Sequence, residues 1–232
     1  MDDFDGGLGT LLPVARETVQ DRIYRQLRDM LIRCGFDAGE AFVVADLSQR
    51  MGVSSMPVRE ALARLVSERA LEAAPNRRIS VPALTLDGAR DLARARTLLE
   101  QDMMQRAMAH LTRADFATLD ALTGEYETAQ GARDHAHLNH AFHFHIYHRA
   151  GSPVLLPFVE SLWMQAGPYV RAAARLHSPS SDRSATLHHR GILDALRRGD
   201  GPAAAAELTA DIGQTFAILE RAPQSLWQQD AA

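Results

Sequence analysis

Apolar side chains recur at helical spacing from Glu17 to Arg33, where Val19, Ile23, Leu27, Met30 and Leu31 share one side, and the Gly35–Gly39 stretch ends the pattern. Asp46 to Met51 predicts a short second helix stopped by Gly52. Ser54-Ser55-Met56-Pro57 then places an N-cap and an early proline ahead of a third helix running to about Arg69. From Leu71 to Val81 a Pro75-Asn76 turn separates two short segments that can pair as a hairpin. After a linker at 83–88 the pattern is helical throughout, with helices expected at about 86–110, 113–130, 134–150, 153–175, 182–199 and 201–221. Thr112 and Asp115 resemble a helix-start cap, and Pro157 and Pro168 predict a kink or break in the fourth of these helices. Residues 1–15 and 223–232 read as tails. The expected fold is all-α with a small β wing: a winged helix-turn-helix over 16–82 and a six-helix antiparallel bundle over 89–222.

Composition narrows the class. With 232 residues, 46% hydrophobic and 23% charged, the chain is an ordinary globular one, long enough for one large domain or two small ones. Its one cysteine, Cys34, excludes an internal disulfide. The opening MDDFDGGLGT lacks the basic and apolar regions of a signal peptide, and no run reaches the ~18 apolar residues of a membrane span. A cytoplasmic, membrane-free protein is expected. The net charge of -4 argues against coating nucleic acid by bulk charge, so a local basic patch must carry any such contact. Every basic residue is an arginine, which together with the alanine richness reads as genome composition bias.

The second helix, glycine turn and third helix form a helix-turn-helix, whose second member can lie in the DNA major groove. The string Met51-Gly52-Val53-Ser54-Ser55-Met56-Pro57-Val58-Arg59-Glu60-Ala61-Leu62-Ala63-Arg64-Leu65 closely resembles the reader of the GntR superfamily of transcriptional regulators. The resemblance implies that Ser54 caps the recognition helix and that Arg59 reaches a base edge or phosphate. It also implies a departure, since Ser55 stands where the family usually carries a DNA-contacting arginine. Arg64 belongs to the same basic set, and in the wing Arg77 and Arg78 could enter the minor groove or grip phosphate. From Ser55 to Arg78 the arginines exceed the acids by only two. Such a module binds weakly alone, so a homodimer on a palindromic double-stranded operator is the expected working form.

In the bundle, six of ten histidines fall between His135 and His148, and helical geometry thins them out. Asn139 and His143 stack beside Phe142 and Ile146, whereas His137, His140 and His148 point elsewhere and should be solvated. His189 shares a face with Ile192, Leu193 and Leu196, and Asp211 sits between Leu208 and Ile212. Three helices each turning polar groups inward suggest one shared site, because a buried aspartate is costly unless paired or metal-bound. Imidazole with carboxylate suits a divalent transition metal such as zinc, nickel or manganese.

Asn139-His140-Ala141-Phe142-His143, His189-Arg190-Gly191-Ile192-Leu193-Asp194-Ala195-Leu196 with Gly199-Asp200, and Asp211-Ile212 resemble the FCD ligand-binding domain of the FadR and VanR branches. The six-helix count is closer to VanR. The family's metal pattern, an aspartate and three histidines, falls here on Asn139, His143, His189 and Asp211, so two of the four have exchanged type. The resemblance implies a small carboxylate effector, with Arg96 oriented by Glu100 as its donor and Trp163, Gln165 and Tyr169 lining the cavity. Alternatives are a metal-free pocket in which these groups hydrogen-bond among themselves, or a metal-dependent hydrolase, for which no base is identifiable on the inward faces.

Overall fold

In the computed structural model of the chain, residues 18–74, 78–176 and 184–227 are described. Helix α1 spans Val19–Ile32 and starts on a capping box, in which the Thr18 hydroxyl accepts from Asp21 N and the Asp21 carboxylate accepts from Thr18 N. Helix α2 spans Val44–Met51 and ends at Gly52, whose φ of 65° is left-handed and easy for glycine. Helix α3 spans Ser55–Ser67 and buries Val58, Ala61, Leu62 and Leu65, a helical stripe within the core that also holds Ile23, Leu27 and Leu31 of α1.

The wing holds one strand more than the expected hairpin. Strand β1 is Ala41–Phe42, β2 is Glu72–Ala73 and β3 is Ile79–Ser80, in the order β1-β3-β2 and antiparallel throughout. Ala41 pairs with Ser80 on one edge of β3 and Glu72 pairs with Ser80 on the other. Two residues are too few to show a periodic pattern, which is why β1 escapes sequence reading. The Pro75-Asn76 turn lies outside the described residues.

Six helices follow: α4 Leu86–Met108, α5 Arg113–Thr128, α6 Ala132–Arg149, α7 Leu155–Leu176, α8 Ser184–Arg197 and α9 Gly201–Glu220. Thr85 caps α4 by accepting from Gly88 N, and Thr112 with Asp115 forms the expected capping box on α5. Pro157 lies in the first turn of α7, where a missing N–H costs nothing, and α7 continues through Pro168 without the expected break. The polar loop expected before α8 lies outside the described residues. A 3₁₀ turn at Gln224–Leu226 follows α9, so Leu226 and Trp227 pack on the core where a free tail was expected.

Helix α7 joins the two halves. A Cβ added at Gly167 would stand 2.5 Å from the Leu31 carbonyl oxygen, so only glycine allows α7 to approach the end of α1 this closely. Arg171 donates to Asp37 at 2.6 Å and to the Cys34 carbonyl at 3.2 Å, and Arg175 also bonds Asp37. Burial alone would raise the Asp37 carboxyl, but these two guanidinium groups hold it below its ordinary range. Arg28 of α1 pairs with Glu160 of α7, and Thr85 N donates to the Tyr169 hydroxyl at 3.1 Å. Gly167→Ala should therefore destabilise the chain by about 1–3 kcal/mol, as overpacking does. At this size that lowers the thermal midpoint by about 2–4 °C per kcal/mol. An unchanged midpoint would mean that α1 and α7 do not meet this way in solution.

Candidate functional site

Three helices bring the inward polar groups together. His143 of α6, His189 of α8 and Asp211 of α9 are all buried, and one ligand atom from each falls within 4.8 Å of the others. His143 Nε2 lies 3.0 Å from Asp211 Oδ2, and His189 Nε2 lies 3.8 Å from Asp211 Oδ1 and 3.2 Å from Asn139 Oδ1. All four expected ligands thus converge. Asn139 and His143 are one α6 turn apart, and the His189 ring stacks on Phe142 at 4.0 Å.

Behind His143 stands a second buried group that the sequence did not reveal as connected. Tyr147, one turn further along α6, donates its proton to Glu100 Oε2 at 2.5 Å and lies 3.3 Å from His143 Nδ1. Glu100 also accepts from Trp163 Nε1 at 3.0 Å and from Arg96 Nε at 2.7 Å, and the Arg96 guanidinium lies 4.2 Å from the Trp163 ring. According to its tautomer, His143 donates Nδ1–H to the tyrosine oxygen or Nε2–H to the Asp211 carboxylate. Two arrangements satisfy the 3.0 Å contact with Asp211: an Nε2–H donating to the carboxylate, or a metal cation shared by Nε2 and the carboxylate.

Electrostatics agree with a crowded, water-poor site. Burial pushes the His189 imidazole down to about 4, so it is neutral near pH 7, and its Nδ1 has no hydrogen-bond partner among the described residues. Burial would raise Asp211, but the His143 contact and the nearby imidazoles outweigh it and hold the carboxyl below its ordinary range. Burial and then Glu100 raise Tyr147 well above the ordinary phenol value, which keeps it a donor. Beside Asp211 lies a cavity of about 40 Å³, lined on its polar side by Tyr126, His135, Asn139, Gln214 and Thr215 and on the other by Val170, Ala173 and Ala174 of α7. That space admits a water or an ion.

The residues expected to line an effector pocket are placed differently. Glu100 does orient Arg96, but Arg96 is only 2% exposed and its charge is taken up by that carboxylate. Arg96, Glu100 and Trp163 form a closed layer behind His143. Gln165 and Tyr169 are on the other side of α7, lining a cleft of about 280 Å³ with Arg69, Pro82 and Leu92. None of these five lines the cavity beside Asp211. His140, expected to be solvated, instead stacks on Phe144 at 4.2 Å with the Trp163 edge nearby, and burial pushes it down to about 3.

On the reader, Ser54 occupies the N-cap of α3 but its side chain makes no cap hydrogen bond, contrary to expectation. The first N–H groups of α3 therefore stay open to an anion such as a phosphate oxygen. Ser55 is hydrogen-bonded to the Ser48 hydroxyl at 3.3 Å, which ties it to α2. Arg59 is exposed and makes no ion pair with any described residue. Arg64, five residues on, lies on a different side of the helix, where its guanidinium covers the Tyr24 ring at 3.7 Å and bonds Glu68 at 3.2 Å. It braces α3 against α1 while remaining exposed. Arg78 is exposed beside β3, its carbonyl closing the wing by accepting from Ala74 N at 2.8 Å. Arg77 lies outside the described residues.

Two outcomes follow from these placements. Arg59→Ala should weaken operator binding by the about 1–3 kcal/mol of a base contact, roughly fivefold or more. Arg64→Ala should leave that affinity within about threefold, the scale of an exposed ion pair. A fluorescence-anisotropy titration separates them, and equal losses would return Arg64 to the DNA face. For His140, the unfolded chain gains a proton between about 6.5 and about 3 that the folded chain does not, so this position removes stability as pH falls through that window. With chelator present, denaturant titrations at about pH 7.5 and about pH 5 should show a smaller acid loss for His140→Phe than for wild type. An equal loss would mean that His140 is solvated after all.

Comparison with known proteins agrees with this two-part architecture. Residues 19–81 match the model of the gntR family of bacterial regulatory proteins, and residues 91–214 match the FCD domain. The chain is 30% identical over 201 residues to the HTH-type transcriptional regulator McbR of Escherichia coli, covering 85% of this chain and 91% of that one. It is 23% identical over 223 residues to the HTH-type regulator BphR of Paraburkholderia xenovorans, covering 90% and 89% respectively. The solved structure of E. coli McbR/YncC superposes with a TM-score of 0.81 at 29% identity, over 89% of this chain and 99% of that one. These relatives are regulators and not enzymes, so the hydrolase alternative is set aside. The chain belongs to the GntR family of DNA-binding transcriptional regulators and carries an FCD domain.

Proposed function

We propose that this regulator binds a palindromic operator as a homodimer and that its affinity is set by a divalent transition metal held in the bundle. His143, His189 and Asp211 would hold the ion, with Asn139 offering an amide oxygen beside them. The observation that carries this reading is the buried convergence of His143, His189 and Asp211 from three helices, one ligand atom of each lying within 4.8 Å of the others. The donor set fits zinc, nickel or manganese, and the chemistry such an ion supplies is charge neutralisation and attraction of an oxygen ligand. A small carboxylate effector is the ligand class that the family resemblance implies, and its acid group would enter the cavity of about 40 Å³ beside Asp211. Repression in one ligand state and release in the other is the role the same resemblance implies.

Helix α7 supports the link between the sites. Val170, Ala173 and Ala174 line the cavity, while Gly167, Arg171 and Arg175 of the same helix hold the end of α1 and Asp37. A ligand that prefers one seating of α7 shifts the reader, and by linkage operator binding shifts ligand affinity equally. The direct 3.0 Å contact between His143 and Asp211 favours one alternative, a metal-free site in which these groups hydrogen-bond among themselves. No helix among the described residues is long and apolar enough to cross a membrane, and we place the regulator with its DNA in the cytoplasm.

The test combines two titrations of chelator-treated protein with zinc, nickel and manganese. A metal bound only by the folded state adds about 2.7 kcal/mol at hundredfold excess, several degrees in midpoint. Wild type should show that rise and His143→Ala should not, and operator affinity should change over the same concentrations. Absence of any rise would leave the metal-free alternative standing. A rise without a change in operator affinity would separate the metal from regulation.

A further inference from the structure

The outward face of α3 holds a side chain that neither packing nor charge accounts for. The buried stripe of this helix is Val58, Ala61, Leu62 and Leu65. Opposite it lie Met56, Arg59, Glu60 and Ala63, all exposed. Met56 is 65% exposed in the first turn, on a face that is otherwise charged or small. Apolar surface left in water at this position gains nothing in the free chain. Its neighbour Ser55, tied to the Ser48 hydroxyl, leaves the leading end of the helix to Met56 and Arg59.

The reader of a helix-turn-helix enters the major groove by the N-terminal residues of its second helix. In that groove the base edges present hydrogen-bonding groups and one apolar feature, the 5-methyl group of thymine. A thioether side chain donates no hydrogen bond and accepts only weakly, so its favourable partner there is that methyl group. We propose that Met56 reads a thymine methyl in the operator. Arg59, three residues on, stands about 4.5 Å further along the helix axis. This is close to the spacing of about 3.4 Å between successive bases, so the thymine lies within one base pair of the contact made by Arg59. Sequence preference that a second arginine would have supplied through polar contacts is supplied here by an apolar one.

The experiment uses the full chain and its operator, obtained by selection from random duplexes at moderate salt. Each thymine is replaced in turn by deoxyuridine, which removes only the methyl group. Wild type should lose about fourfold in affinity per half-site at one symmetric thymine, the factor expected for burying one methyl. Met56→Ala should bind more weakly and be indifferent to that replacement, with an unchanged thermal midpoint because the side chain is exposed. Met56→Gln, which keeps the length and loses the apolar tip, should behave like the alanine variant and serves where the latter binds too weakly to compare. Wild type indifferent to every deoxyuridine, or a variant that keeps the full methyl effect, would overturn the assignment. So would an operator with no thymine beside the Arg59 contact, loss of all binding in both variants, or a change in association state in place of methyl sensitivity.

Discussion

The buried carboxylate of Asp211 is the constraint around which the bundle is arranged. An unpaired charge there would cost several kcal/mol, so α6 and α8 must each turn an imidazole toward it. The requirement then passes outward. His143 satisfies Asp211 with one nitrogen and uses the other on Tyr147, Tyr147 reaches Glu100, and Glu100 is held by Arg96 and Trp163. A hydrogen-bonded line therefore runs from α9 through α6 to α4 and α7, and each member depends on the next for its orientation. Such a line fixes the register of four helices against one another, because a half-satisfied polar network is less stable than an apolar core.

The same line ends on the helix that holds the reader. Trp163 lies one turn before Gly167 and two turns before Arg171 on α7, so the layer behind His143 and the hinge against α1 share one rigid element. Asp37 takes both Arg171 and Arg175, and Arg28 pairs with Glu160 at the other end of the α1–α7 contact. Anything that moves α7 by a fraction of an ångström therefore meets the reader through glycine-limited packing, which has no slack to absorb it.

Much of this was legible in the sequence, and the failures have physical causes. The helices and the convergence of Asn139, His143, His189 and Asp211 follow from periodicity, because polar groups on an apolar stripe have nowhere to go but inward. Tyr147 was equally readable, one turn after His143, but its value lies in Glu100, on a helix that no local pattern connects to it. Gln165 was assigned to the same cavity as Trp163 although residues two apart on a helix do not share a face. Arg64 lies over Tyr24 of α1 and away from Arg59 for a related reason, five residues being far from a whole number of turns. Strand β1 was too short to carry a pattern, and Pro168 was tolerated because neighbouring helices hold α7 in place. The pairing of Asp37 with Arg171 is a long-range contact that only the fold discloses.

The central claim, that a divalent metal ion neutralises Asp211, is tested most directly by elemental analysis of the chain incubated with zinc and then freed of unbound metal, beside Asp211→Asn treated identically. One zinc per wild-type chain and none in the variant is the predicted result. Wild type free of zinc, while folded and able to bind its operator, would contradict it.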